Sequence, residues 1–286
     1  MCGLVGIFDS RGEQPVDEAL LRRMNDSIAH RGPDGDGVFL APGIGLGHRR
    51  LAIIDLAGGD QPLFNEDQSV VVVFNGEIYN FHALMAELEA CGHQFRTRCD
   101  TEVIVHGWEE WGPDCVKRFR GMFAFALWDK NTETLFLARD RMGKKPLYYA
   151  ALADGAMLFG SELKALTVCP RVPRAIDIHA VEDYFGYGYI PEPRSIYTSV
   201  AKLPAAHRIV WRRGEAMRLD AYWDLEMGED GPADFPVAVE DLTERLREAV
   251  DLRLVADVPL GAFLSGGVDS SGIVALMAGL MDEPVN

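Results

Sequence analysis

The sequence predicts an α+β protein in two parts, a strand-rich N-terminal domain followed by the start of an α/β domain. Three observations predict it. The chain has 286 residues, a length that favours two domains over one. The apolar runs between residues 122 and 160 come as adjacent pairs suited to antiparallel pairing. Finally, residues 224–236 are acidic and carry Gly228, Gly231, Pro232 and Pro236, the composition of a linker. The predicted division is 1–222, a linker at 223–236, and an incomplete domain at 237–286.

The elements follow in order. Cys2–Phe8 reads as a strand that buries the N-terminus at one end of a sheet. Val16, Leu20, Met24 and Ile28 recur every four residues, so a helix runs to about His30. It stops at the Gly- and Pro-rich His30–Gly37. Short strands are expected at 38–40 and 44–47, and His48–Asp55 starts polar and becomes an apolar strand. Val70–Phe74 is wholly apolar, the mark of a central strand. It breaks at Asn75-Gly76-Glu77-Ile78-Tyr79-Asn80 into a strand–turn–helix corner, because Leu84, Leu88 and Cys91 show helical spacing over 81–91. Asp100 is placed as the N-cap of a helix ending near Trp111. Strands are expected at Met122–Trp128, Glu133–Ala138, Pro146–Ala151, Ala156–Gly160 and near 206–219, with a short helix from Ser161. After the linker come a helix at about 237–254, a strand at Val258–Leu264, the loop Ser265–Ser271 and a helix at 272–281.

Composition excludes several functions. The formal charge is −16 with no block of Lys or Arg, so a nucleic-acid partner is not expected. No apolar run reaches the roughly 18–20 residues of a membrane span, and no basic segment leads an apolar one at the N-terminus. Cys2, Cys91, Cys99, Cys115 and Cys169 are irregularly spaced without a CxxC pair, which suggests neither a cysteine zinc site nor a disulfide framework. The expectation is a cytoplasmic protein with reduced thiols.

Two stretches carry chemistry. If Met1 is removed, Cys2 holds a thiol and a free α-amine, whose ordinary pKa of about 7.7–8.0 leaves roughly a tenth of it basic at pH 7. A nucleophile paired with an N-terminal amine is a variant of the catalytic triad. Arg50 could hold a carboxylate by paired hydrogen bonds. The Asn75-Gly76 corner could present an amide and a backbone N–H to an oxyanion. In the second stretch, Ser265-Gly266-Gly267-Val268-Asp269-Ser270-Ser271 lies between a predicted strand and helix, the arrangement that binds phosphate. It lacks the lysine of a Walker A loop. Asp269 would repel phosphate unless Mg²⁺ lay between them.

These residues stand within MCGLVGIF, HRGPDG, HRRLAIID, FNGEIYN, CDTEVI, GMFAFALWD, ARDRMGKKPLYY, SELKAL, YGYIPEP and ADVPLGAFLSGGVDSS. Over essentially its whole length the chain resembles the glutamine-hydrolysing asparagine synthetases, in which a class II glutamine amidotransferase domain precedes a PP-loop ATP-pyrophosphatase-type domain. The resemblance implies an N-terminal-nucleophile hydrolase fold, an αββα sandwich, followed by the first strand–loop–helix of a doubly wound α/β PP-loop domain. It implies that Cys2 attacks the amide of glutamine, with Asn75 and Gly76 stabilising the oxyanion. Arg50 would hold the substrate carboxylate, Leu51, Ala52, Ile53 and Ile54 would help line the pocket, and Glu77 and Asp100 would meet the ammonium. It further implies ATP and Mg²⁺ as cofactors, with Leu264 beside adenine, Ser265, Gly266, Gly267, Ser270 and Ser271 around pyrophosphate, and Asp269 on the magnesium. The ammonia would pass to an adenylated acceptor carboxylate, aspartate in the type member.

A doubly wound sheet needs more strands than follow the loop. The chain is therefore expected to be a fragment or a truncated form, able by itself at most to hydrolyse glutamine. The acceptor stays open: a paralogue amidating a precursor in exopolysaccharide or surface-protein biosynthesis is the closest alternative. A sugar-amine or phosphoribosylamine enzyme would lack the 265–271 loop, and an inactive regulatory module would not need the full Cys2 set. Dimers are common in the family, although the sequence does not fix a homodimer.

Overall fold

The computed structural model describes residues 2–12, 15–228, 231 and 234–286. It divides into a unit of residues 1–52 and 57–224 and a second of Ile53–Leu56 and Leu225–Asn286.

The first unit opens with β1 (Gly3–Asp9), α1 (Glu18–Ser27), β2 (Gly35–Ala41), β3 (Ile44–Arg50), β4 (Leu63–Phe64) and β5 (Val70–Ile78). Helices α2 (Phe81–Ala90), α3 (Glu102–Trp111) and α4 (Cys115–Arg118) follow. Then come β6 (Gly121–Asp129), β7 (Thr134–Arg139), β8 (Tyr148–Ala151), β9 (Ala156–Gly160), α5 (Leu163–Thr167), α6 (Ile178–Tyr187), β10 (Ala201–Lys202), β11 (His207–Arg212) and β12 (Arg218–Ala221). The strands form two antiparallel sheets, in the orders β10-β8-β9-β1-β3-β2 and β12-β11-β7-β6-β5-β4.

Strand β1 shows why the sheets stack. It is buried along its whole length. Alternation sends Leu4 and Phe8 into a core shared with Val71 and Val73 of β5, Trp128 of β6 and Trp211 of β11. Val5 and Ile7 point the other way, against Leu21 and Met24 of α1 and Leu166 of α5. Position 6 must be glycine, since a Cβ there would lie 2.1 Å from the Phe159 ring. On the other sheet, α3 is fixed to β6 by the Trp108 indole N–H, which donates to Asp129 at 3.0 Å. The result is the αββα sandwich expected of an N-terminal-nucleophile hydrolase.

Several local expectations are corrected. Residues 51–55 are irregular, so the strand expected over His48–Asp55 ends at Arg50. No turn forms at Asn75-Gly76. Strand β5 runs through both residues, and the chain bends only at Tyr79-Asn80. Pairing of all nine β5 residues with β6 outweighs the Asn-Gly turn tendency. Asp100 does not cap α3: Thr101 holds that position, while the Asp100 carboxylate accepts from the Ile78 N–H at 2.8 Å. Helix α6 was not anticipated, because much of its apolar surface, including Phe185 and Tyr187, is exposed.

In the second unit, α7 (Phe235–Asp251) and α8 (Val268–Leu280) are the regular elements among the described residues. Of the predicted linker, residues 229, 230, 232 and 233 lie outside the described residues. Val258–Leu264 is not a strand, since no neighbouring strand pairs with it among the described residues. Helix α8 starts at Val268, four residues before the predicted helix, so Asp269, Ser270 and Ser271 occupy its first turn. Phe263, Leu264 and Val268 are exposed.

Candidate active site

Cys2 lies one residue before β1, and half-buried. Its Sγ accepts from the Leu51 N–H at 3.3 Å and lies 3.5 Å from the Leu51 carbonyl. Burial pushes the thiol above its ordinary pKa, while the Leu51 N–H opposes the shift. A thiol held neutral needs a base at the moment of attack.

Motifs distant in sequence hold this strand end. The Arg31 guanidinium donates to the Cys2 carbonyl at 2.9 Å and to Glu162 at 2.9 Å. Glu162 also faces His30 at 2.9 Å and Lys164 at 3.2 Å. One residue away, the Ser161 hydroxyl accepts from the Leu4 N–H at 3.0 Å, and the Ser161 N–H donates to the Leu4 carbonyl at 2.9 Å. HRGPDG and SELKAL thus meet at the nucleophile, a role that their turn and helix signals did not disclose.

The oxyanion candidate is in β5. The Asn75 side chain is fully buried, and neither its amide nitrogen nor its oxygen has a hydrogen-bond partner among the described residues. Such a group is costly unless a ligand satisfies it. The neighbouring Gly76 has a packing reason as well, because a Cβ would lie 2.2 Å from the Met122 carbonyl of β6. Phe74 is clamped from two sides. His48 Nε2 meets its carbonyl at 2.9 Å, and its N–H donates to Gln61 at 2.6 Å. Burial lowers the His48 pKa to about 4 despite the Phe74 bond. The ring is therefore neutral at pH 7, and its Nε2 is the donor. His48 and Gln61 were missed as positioning residues.

Arg50, Glu77 and Asp100 are the charged residues expected to bind the substrate. Arg50 is buried at the end of β3, and its Nη1 donates to Asp60 at 2.8 Å. Asp100 is buried, and its pKa is raised to about 6, chiefly by burial and further by the Glu77 charge, against the Ile78 N–H. Both Asp100 and Arg50 act electrostatically on the Cys2 thiol. Lys145, from GKKP, was also missed. It is buried, burial lowers its pKa, and the charges of Glu77 and Cys2 act on it. Ala52 donates its N–H to Asp34 at 3.0 Å. Ile53 and Ile54, expected in the pocket, fall in the second unit, where the Ile53 carbonyl accepts from Asp257.

The second candidate site retains the elements of an anion cradle. Gly266 is left-handed at φ +81°, with open space where a Cβ would stand. The Ser265 and Ser270 hydroxyls face each other at 2.9 Å, and Gly267 precedes the first turn of α8. These donors fit phosphate, and Asp269 fits a hard divalent cation beside it. Leu264 is exposed beside the loop.

A thiol at the head of a central strand in a two-sheet sandwich, with a buried amide in the second sheet unpartnered among the described residues, is the arrangement of an N-terminal-nucleophile glutamine amidotransferase. Comparison with known proteins agrees: the glutamine amidotransferase domain family matches residues 1–223, and the asparagine synthase family matches residues 241–286. The chain belongs to the glutamine amidotransferase family, in its asparagine-synthetase type. It is 37% identical over 286 residues to asparagine synthetase [glutamine-hydrolyzing] 3 of Bacillus subtilis, covering 99% of this chain and 46% of that protein. A putative asparagine synthetase of Methanocaldococcus jannaschii is 39% identical, with 99% and 58% covered. Amidase chyE of Penicillium rubens is 36% identical, with 94% and 39% covered. The chain spans about half the length of the curated relatives it matches. Among solved structures, the glutamine phosphoribosylpyrophosphate amidotransferase of B. subtilis superposes with a TM-score of 0.57 at 18% identity, covering all of this chain and 65% of that one, which shows the shared fold.

Proposed function

We propose that the N-terminal unit hydrolyses glutamine to glutamate and ammonia, and that the ammonia serves to amidate an acceptor carboxylate. The observation that carries this reading is the fully buried Asn75 amide, unpartnered among the described residues, in a sandwich whose central strand is headed by Cys2. Arg50 would bind the substrate α-carboxylate, and Asp100 with Glu77 the ammonium. Leu51 and Ala52 would line the path between them. With Met1 removed, the Cys2 amine takes the thiol proton as sulfur attacks the amide carbon. Asn75 Nδ2 and the Gly76 N–H then stabilise the developing oxyanion, an interaction typically worth about 3–4 kcal/mol. The amine returns the proton to the leaving ammonia, and water cleaves the thioester.

Ser265, Gly266, Gly267, Ser270 and Ser271 would hold the pyrophosphate of ATP, with Leu264 beside the base and Asp269 on Mg²⁺. ATP when bound supplies the adenylate that activates the acceptor. Aspartate is the acceptor favoured by the asparagine-synthetase relatives. The similarity to a fungal amidase favours, as a second reading, a different carboxylate in the same role.

Glutamate release by the chain, with Met1 removal verified by intact mass, tests the first half beside Cys2→Ala. Release abolished by that substitution supports the reading, whereas release that survives it rules Cys2 out as the nucleophile.

A further inference from the structure

A second cluster of chemistry-bearing side chains lies on the outer face of the β4–β5 side of the sandwich. Glu66 follows β4, His93 follows α2, and His106 and Glu109 stand three residues apart on α3. One ligand-type atom from each of the four lies within 4.8 Å of all the others. From this geometry we propose that Glu66, His93, His106 and Glu109 form a divalent transition-metal site of the zinc class, structural in character and separate from Cys2.

The spacings favour an ion over direct bonding. His106 Nδ1 is 3.4 Å from Glu66 and 3.5 Å from Glu109, and His93 Nδ1 is 3.6 Å from Glu66 and 3.9 Å from Glu109. Those are too long for good N–H···O bonds, which fall at about 2.7–3.2 Å. Three of them match the edges of a coordination tetrahedron, since bonds of about 2.0–2.2 Å place ligand atoms about 3.3–3.6 Å apart; the His93–Glu109 edge is longer, and Glu66 faces His106 through Oε2 and His93 through Oε1. His106 supplies an independent observation. It is fully buried, and neither ring nitrogen has a hydrogen-bond partner among the described residues.

The surroundings are those of a built site. Outside the four ligands, Glu102 lies 3.5 Å from His106 Nε2 and Glu110 lies 3.7 Å from His93 Nε2. Glu102 is itself fixed by the Arg96 and Thr97 N–H groups at 2.8 and 2.7 Å. Asn65 donates to one oxygen of Glu109 at 2.7 Å, and the Gln94 N–H donates to Glu66 at 2.8 Å. Two neutral imidazoles and two carboxylates suit a borderline ion such as Zn²⁺ better than Mg²⁺ or Ca²⁺, which prefer oxygen. Four protein ligands close the coordination shell, the mark of a structural rather than a catalytic zinc site. The ion would join the loop after β4, the α2–α3 connection and α3 itself.

The test is Co²⁺ titration of chelator-treated full chain followed by visible absorption, with thermal unfolding in the presence and absence of Zn²⁺. We expect one equivalent of tightly bound cobalt, with the intense d–d bands of a four-coordinate N/O site and no thiolate charge-transfer band. Zn²⁺ should raise the unfolding midpoint by a few degrees. His93→Ala and Glu109→Gln, at partly exposed positions chosen to spare folding, should each weaken binding by at least about 100-fold and abolish the thermal shift. Binding that survives both substitutions, a thiolate band pointing to cysteine ligation, or no stoichiometric binding would overturn the proposal. The last would leave His106 as an imidazolium held among carboxylates.

Discussion

Arg50 Nη1 donates to Asp60 Oδ1 at 2.8 Å, so the guanidinium assigned to the substrate carboxylate already holds a carboxylate of its own chain. Arg50 is buried, whereas the Asp60 side chain is 82% exposed. The aspartate can therefore swing into water when glutamine arrives. An ion pair whose carboxylate stays in water is worth about 0.2–1 kcal/mol. Asp60→Asn should consequently lower the glutamine KM by up to about fivefold, with kcat unchanged. Steady-state glutaminase kinetics check this, and an unchanged or raised KM would show that Asp60 does not compete for Arg50.

Asn75 sets activity against stability. Its amide is buried without a partner among the described residues, which costs the free protein about 1–3 kcal/mol. Asn75→Leu, of similar shape, should raise the unfolding midpoint while lowering kcat by about 10²–10³. Calorimetry beside turnover measures both. A variant that loses stability as well as activity would mean that the amide is satisfied in the free protein.

Much of this architecture was legible in the sequence, and the failures have physical causes. Strand β1 was readable because Leu4, Val5, Ile7 and Phe8 form an unbroken apolar run, as a strand buried on both faces requires. Cys2, Arg50, Asn75 and Asp100 stand out in the sequence through the motifs that carry them, and in the structure Arg50, Asn75 and Asp100 are buried and Cys2 half-buried. Asn75-Gly76 misled, since a turn-forming dipeptide lies inside a nine-residue strand whose conformation is imposed by β6. Asp100 misled for a related reason: its capping signal is local, but its carboxylate bonds to Ile78, 22 residues away. Val258–Leu264 has a strand's composition without a neighbouring strand among the described residues, and composition alone does not make backbone hydrogen bonds. The roles of Arg31, Ser161 and Glu162 depend on contacts spanning more than a hundred residues, which no local pattern encodes.

Ser161 gives a direct test of how the nucleophile's strand is held. Its hydroxyl accepts from the buried Leu4 N–H, and Ser161→Ala would leave that donor unpaired, at a cost of about 1–3 kcal/mol. The expected result is an unfolding midpoint several degrees lower and a reduced kcat, with KM less affected because Arg50 and Asp100 stay in place. A fall in stability with full kcat would show that the strand end positions itself without this bond.

Asp100 should govern the acid limb of the glutamine pH profile. A carboxylate must be ionised to bind an ammonium, and Asp100 has its pKa raised to about 6. The kcat/KM for glutamine should therefore fall below about pH 6, to roughly a tenth of its plateau near pH 5. Asp100→Asn should remove that limb and raise KM at neutral pH by at least about tenfold. An acid limb unchanged in the variant would assign the titration to another group.

His48 and Asp100 also oppose each other in the pH dependence of folding. His48 titrates at about 4 in the folded protein against 6.5 when exposed, so between these values the unfolded chain binds more protons. Its contribution to stability is thus present above about pH 6.5 and lost as the pH falls toward 4, by up to about 3 kcal/mol. Asp100 does the reverse. Its pKa is raised from 3.8 to about 6, so its ionised form costs stability above pH 6 and the cost disappears on acidification. His48→Gln keeps a donor within reach of the Phe74 carbonyl and removes the acid-labile half of this pair. Its midpoint should be at or below wild type at pH 7 and gain on wild type steadily from pH 6.5 to 4. Calorimetric scans across that range would expose the effect, and a constant difference between the two proteins would show that His48 is not held neutral in the folded state.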